Sequence, residues 1–163
     1  MTGLAAVSAA LAIGLRQSSI SRKQNEILDR QTQLAELQLR SQLFDKRLAC
    51  YHDARQFLGK IVAHADRPDR ESEFTFIGAM HESLFLFDSA VHQHLMAIWR
   101  DACDFCAVHA VTRATFDREG HYGPEVEREH ELLEKIADHL GNFNDVFGEE
   151  MRLSAKQIKT LGV

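Results

Sequence analysis

Apolar positions recur at helical spacing through most of the chain. Between Ser89 and Phe116, Val91, Leu95, Ile98, Ala102, Phe105 and His109 advance in steps of four and three. Trp99, Cys103, Cys106 and Ala110 line the adjacent face, giving the wide stripe that a core helix needs. A second stripe, Val126, Leu133, Ile136, Leu140, Phe143 and Phe147, predicts a helix from about Glu125 to Phe147 or beyond. Pro124 and the acidic Glu125, Glu127 and Glu129 suit its N-terminus, whereas Gly141 and Gly148 weaken its continuity. From Glu71 to Phe87 the apolar set Phe74, Ile77, Met80 (or His81), Leu84 and Phe87 predicts another helix. Phe74, Phe76, Phe85 and Phe87 read as core residues, with Phe76 and Phe85 flanking the stripe. Asp88 or Ser89 is placed to cap the helix that follows. Pro68 within Ala65–Arg70 breaks the helical pattern, and Asp117–Gly123 (DREGHYG) is the longest turn-like stretch.

The N-terminal part is patterned differently. Ser18 to Glu36 is rich in Gln and Arg and poor in apolar residues. Ile20, Ile27 and Leu34 fall seven apart, and Leu37, Phe44, Tyr51 and Leu58 continue that period on a neighbouring line. This places a narrow apolar seam on one helix face, interrupted by Ser41 and Arg55. The pattern predicts one long helix from about Arg16 to His64. Its first half is a stalk, and its second half, LFDKRLACYHDARQFLGKIV, enters the folded domain.

Ahead of the stalk lies MTGLAAVSAALAIGL, which carries no charge. As a helix, Thr2–Leu15 would be about 21 Å long against roughly 30 Å of hydrocarbon, and extension to Ile20 gives about 28 Å. Arg16 would then have to snorkel toward the headgroups. A signal peptide needs a basic region before its apolar stretch, and none is present. Two readings remain. The segment is a short membrane anchor, with Leu4, Val7, Leu11, Ile13 and Leu15 in lipid, or a helix packed in the protein's own core. Its all-round apolar character favours the anchor. An upstream start, with this segment as the tail of a longer span, would be detected by mass spectrometry of the native N-terminus. Arg16, Arg22 and Lys23 follow the segment and no Lys or Arg precedes it, so the positive-inside rule places the bulk of the chain in the cytoplasm. The expected location is therefore the inner membrane, crossed once.

The expected architecture is all-α: an anchor over 1–17, a helical stalk over 18–40, and an antiparallel bundle of about four helices over 41–163. Two prolines and nine glycines in 163 residues are too few for the turns of an all-β fold. Three cysteines cannot close a disulfide set, which fits reduced thiols. The net charge of −5 argues against binding nucleic acid by phosphate neutralisation. That charge is divided, with a net of +4 over residues 16–60 and −9 over 61–163. A basic stretch beside an anionic leaflet and an acidic domain farther out suit a tethered cytoplasmic protein.

The short apolar N-terminus, the Gln/Arg-rich stalk, and the stretches LFDKRLACYHDARQFLGKIV, ESLFLFDSAV and HLGNFNDVFGEEMRL together resemble a loose group of small bacterial proteins. That group has an N-terminal membrane helix and a cytoplasmic helical domain. The resemblance rests on packing residues and implies no activity, so it transfers no functional residues.

Candidate chemistry centres on Cys103-x-x-Cys106 followed by His109. Three side chains at three-residue steps span about 120° of helix surface, so shared zinc ligation is feasible, with Cys50 or His52 as further ligands. A reactive Cys pair belongs at a helix N-terminus, whereas this one falls mid-helix on an apolar face. The competing reading is that both thiols act as small core hydrophobes. His92 and His94 lie about 200° apart on a helix and cannot chelate together. Glu127-x-x-His130 has the spacing of di-iron bundles but occurs once, and with Glu134 and Asp138 it reads as a solvated face. No phosphate loop, nucleophile elbow or HExxH is present.

The sequence therefore points to a structural or interaction module that needs no cofactor. Its partners would be lipid at the N-terminus and a second chain or another protein along the stalk. A metal or redox protein built on Cys103, Cys106 and His109, and a soluble bundle, are the alternatives. A chain lacking residues 1–16 is expected to be soluble, mostly helical by circular dichroism and dimeric in light scattering, since long polar helices are marginal without partners. A strict monomer would remove stalk pairing.

Overall fold

The structure is a computed structural model. It describes the backbone of residues 2–159 and the side chains of residues 17, 21–148, 150 and 151. Four helices follow one another: α1 (Thr2–His64), α2 (Arg70–Leu86), α3 (Ser89–Glu119) and α4 (Glu125–Lys159), and no strand occurs among the described residues. The protein is an all-α helical bundle. The chain divides into two compact units, residues 1–41 and residues 42–163, with α1 contributing to both.

Local sequence sets the helix ends in the second unit. Ala65 takes φ 46° and returns its amide to the Ile61 carbonyl at 2.8 Å, ending α1 with a left-handed residue that Gly would adopt more cheaply. Asp69 caps α2 by accepting from the Ser72 amide at 2.8 Å. Asp88 caps α3 through the amides of Ala90 and Val91, as its sequence position predicts. Gly120, at φ 72°, closes α3 with its amide on the Phe116 carbonyl. Glu125 and Glu127 lie in the first turn of α4.

Contacts between the helices run in opposite directions along each neighbouring pair, so residues 42–159 form an up-and-down bundle. Lys60 meets Asp69 and Ser72 at the start of α2, whereas Cys50 donates to the Ala79 carbonyl and Arg47 to that of Leu86. Phe76 lies beside Trp99, while Met80 and Ser83 bond His92. Between α3 and α4, His109 pairs with Glu129, Asp101 with His139, and His94 lies near Phe143.

Two aromatic groups fill the interior. Phe57 stacks on Phe76 at 4.3 Å between ring centroids, with Trp99 6.0 Å from Phe76. Tyr51, Phe87, Phe143 and Phe147 form the other group. Arg47 joins three parts of the chain beside it. Its Nε donates to the Leu86 carbonyl at 2.6 Å, its Nη1 lies 3.6 Å from the Glu150 carboxylate, and its guanidinium sits over the Phe87 ring.

The α3 stripe is buried as the spacing predicts, from Val91 through Phe105, with Thr112 continuing it. The α2 stripe is met only in part, with Met80 buried and Ile77 and Phe87 half-buried. Phe74 and Leu84 face solvent, as does Phe85 at 88% exposure, and the inward line is Ser72, Phe76, Ala79, Met80, Ser83 and Leu86. This corrects the assignment of Phe74 and Phe85 to the core. The two serines conceal the buried line in the sequence because each is satisfied locally. Ser83 donates to the Met80 carbonyl, and Ser72 bonds Asp69. In α4, Leu132 is buried and Val126 is largely outside, which shifts the start of that stripe.

Replacing Phe76 with Ala should cost about 3–5 kcal/mol of unfolding free energy, and Phe74→Ala no more than about 0.5. Urea denaturation of the two variants measures the contrast, and equal losses would return Phe74 to the core.

Candidate functional site

The structure does not gather the proposed Cys–Cys–His cluster around one site. Cys103 is exposed and Cys106 half-buried, and both line a cleft of about 520 Å³ with Arg67, Pro68, Glu73 and Trp99. His109 lines a different cleft of about 370 Å³, with Thr112, Arg113, Tyr122, Glu129 and His130. Cys103 therefore does not pack as a core hydrophobe, contrary to the simplest reading of its stripe.

Burial pushes the Cys103 and Cys106 thiols up, although Arg67 pulls both the other way. Cys50 is driven further, to about 12, by burial first and then by Glu82 and Asp53. It lies 3.3 Å from the Ala79 carbonyl, among neighbours that the other two thiols do not share. His52 is exposed. An activated thiol needs its pKa lowered, so these shifts run against nucleophilic or redox chemistry. Among the described residues, no three His, Cys, Asp or Glu side chains are grouped to hold a metal ion.

His109 instead bridges two carboxylates. Its Nδ1 lies 2.6 Å from Glu129 of α4 and its Nε2 3.1 Å from Asp66 of the α1–α2 turn. Only the doubly protonated ring donates from both nitrogens, so in that state it ties three segments together. The ring also lies parallel to Phe105. A second tie between the same helices joins His139 to Asp101 at 2.8 Å.

The other histidines follow their helix positions. His92 faces α2, where its Nδ1 meets Ser83 and the Met80 carbonyl. His94 faces α4, 5.1 Å from the His139 ring, and its Nε2 is buried without a partner. Burial, then the proximity of His139, lowers the His94 pKa. His130 pairs with Glu134 in solvent, and Glu127 and Asp138 are exposed, the solvated face that their spacing predicts.

The largest departure from a closed fold lies in the first unit. Every residue from 21 to 36 is exposed, including Ile27 at 54% and Leu34 at 59%. Arg22 and Lys23, the described members of the basic flank, belong to this surface. Arg16 and the anchor residues Leu4, Val7, Leu11, Ile13 and Leu15 have side chains outside the described residues. Among the described residues no helix is long and apolar enough to cross a membrane. No family model, curated protein or solved structure matches the chain.

The half-buried His94, with its Nε2 out of contact with water, gives a pH prediction. Its folded-state pKa is depressed, so its contribution to stability is complete above the ordinary value of about 6.5 and is lost as pH falls below it, because the unfolded chain takes up the proton first. Thermal melts from about pH 7 to pH 5 should show Tm falling less in His94→Leu than in the unaltered protein. Equal slopes would show that His94 does not titrate differently on folding.

Proposed function

We propose that this protein is a helical interaction module, with residues 21–43 of α1 as the docking element and the bundle as its folded body. One observation carries the reading. A long run of α1 is solvent-exposed yet holds Ile27, Leu34 and Leu37 at heptad-related positions. A helix that is polar on most sides and carries a narrow apolar seam gains stability from a second helix, since its intrinsic propensity alone is marginal. The exposed Phe74, Leu84 and Phe85 of α2 give the module another apolar face. The raised thiol pKa values, and the lack among the described residues of three His, Cys, Asp or Glu side chains grouped to hold a metal, favour this reading over the metal or redox alternative.

A second reading concerns location. The uncharged opening, followed by Arg16, Arg22 and Lys23, supports a tether at the inner membrane with the bundle in the cytoplasm. It is argued from the opening residues alone and does not use the seam.

Hydrogen exchange of the native full chain tests the module. Amides of residues 21–41 should be protected at least about tenfold over free peptide when the seam is covered. Free-peptide exchange rates in cells or native lysate would sink the reading. Fractionation tests the tether, which predicts sedimentation with inner membranes and release by detergent but not by high salt.

A further inference from the structure

We infer that the partner of the α1 seam is a second copy of this chain, paired antiparallel about a centre next to Thr32. The inference rests on the interaction reading above and names its partner. It does not depend on the tether.

Heptad register decides the orientation. With Ile27 and Leu34 at the a positions of a heptad, Lys23, Arg30 and Leu37 fall at d, and Ser41 is the next a. Glu26, Gln33 and Arg40 fall at g, and Gln24, Gln31 and Gln38 at e. In a parallel pair every core residue meets its own copy. Lys23 would face Lys23 and Arg30 would face Arg30 inside the seam, and like charges held together in a desolvated contact are strongly disfavoured.

An antiparallel pair removes both clashes at once. Ile27 then packs on the second copy's Leu37, Lys23 lies beside Ser41, and Arg30 lies beside Leu34. Arg30 can lay its aliphatic stem on that leucine and keep its guanidinium in water. The flanks agree in the same register. Glu26 meets the second copy's Arg40, and Gln33 meets Gln33. On the other flank Gln31 meets Gln31, and Gln24 meets Gln38. Apolar pairs with apolar, basic with neutral, and acidic with basic.

The structure leaves the required surface available. Lys23, Ile27, Arg30 and Leu34 are all exposed, and Leu37 is half-buried. Glu26 already sits 2.7 Å from Arg30, and Arg40 3.2 Å from Glu36, as intrahelical pairs. The Glu26–Arg30 pair is exposed and such pairs are worth little, while Arg40 is half-buried and would add the second copy's Glu26 to the contacts it already makes. An antiparallel pair sends its two N-termini in opposite directions, so two chains standing upright in one bilayer would not form it.

The test uses two full-length variants, Ile27→Cys and Leu37→Cys, each made with Cys103→Ser and Cys106→Ser. Cys50 is buried and is left in place. Antiparallel pairing places residue 27 across from residue 37, within disulfide reach. It holds each of these positions about 15 Å from its own copy. Mild oxidation of the mixed variants should yield a 27–37 disulfide, identified by fragment mass, and neither variant alone should crosslink. In addition, Glu26→Arg should weaken dimerisation about tenfold, and adding Arg40→Glu should restore it.

Self-crosslinking of each variant alone would overturn the antiparallel arrangement while leaving the interaction reading intact. The absence of any disulfide would overturn the second copy as partner. In that case, protected amides over residues 21–41 would show that another protein covers the seam, and unprotected amides would remove both proposals.

Discussion

Burying an apolar helix face requires a neighbour that covers it, and residues 42–159 supply one for each helix. Phe57 has Phe76 and Trp99, Tyr51 has Phe143 and Phe147, and Ile98 and Ala102 lie within the shared core. Burial of such side chains contributes on the order of 1.5–3 kcal/mol each, which offsets the entropy of fixing the helices. Residues 21–36 of α1 have no comparable cover, since all of them are exposed. Their helical state is supported by pairs such as Glu26–Arg30, which add only a few tenths of a kcal/mol. The same helix is thus held by packing where it enters the bundle and by little beyond intrinsic propensity over residues 21–36.

Polar groups in the bundle act mainly as ties between segments. Lys60 donates to both Asp69 and Ser72, so a residue of α1 secures the cap of α2, and hydrogen bonds from Lys60 and Ser72 hold the Asp69 carboxyl well below its usual range. His109 links α3 to α4 and to the α1–α2 turn, and His139 makes a second α3–α4 link. These are the positions where a search for chemistry would look first. Each finds its partner within the fold. The thiols near them are raised by burial, the reverse of the shift that nucleophilic chemistry needs.

Much of this was legible in the sequence and some was not, for physical reasons. The α3 stripe was clear because its buried line, Val91 to Phe105, holds an apolar residue at every step of four and three. In α2 both lines are apolar, so periodicity could not choose between Phe74 and Phe76. The deciding residues, Ser72 and Ser83, look like surface residues until their bonds to Asp69 and Met80 are seen. Spacing also placed Cys103, Cys106 and His109 on neighbouring lines of one helix. What it could not supply was the neighbours: the turn that brings Asp66 to His109, and Arg67 and Glu73 beside the thiols. Those contacts join residues far apart in the chain, and no local pattern encodes them.

The seam itself argues for conditional assembly. A tight coiled coil repeats apolar residues at nearly every a and d position, whereas here Lys23, Arg30 and Ser41 occupy three of six such positions from 23 to 41. Each polar insertion lowers affinity, and each also restricts the partner to one that places neutral or opposite charge across from it. If paired as proposed, a surface of this kind would associate weakly in dilute solution and more fully where chains are concentrated. Linkage through a larger assembly raises the effective concentration without any new contact. For an uneven seam of this kind, effective concentration would decide whether a weak and selective helix pairing is populated.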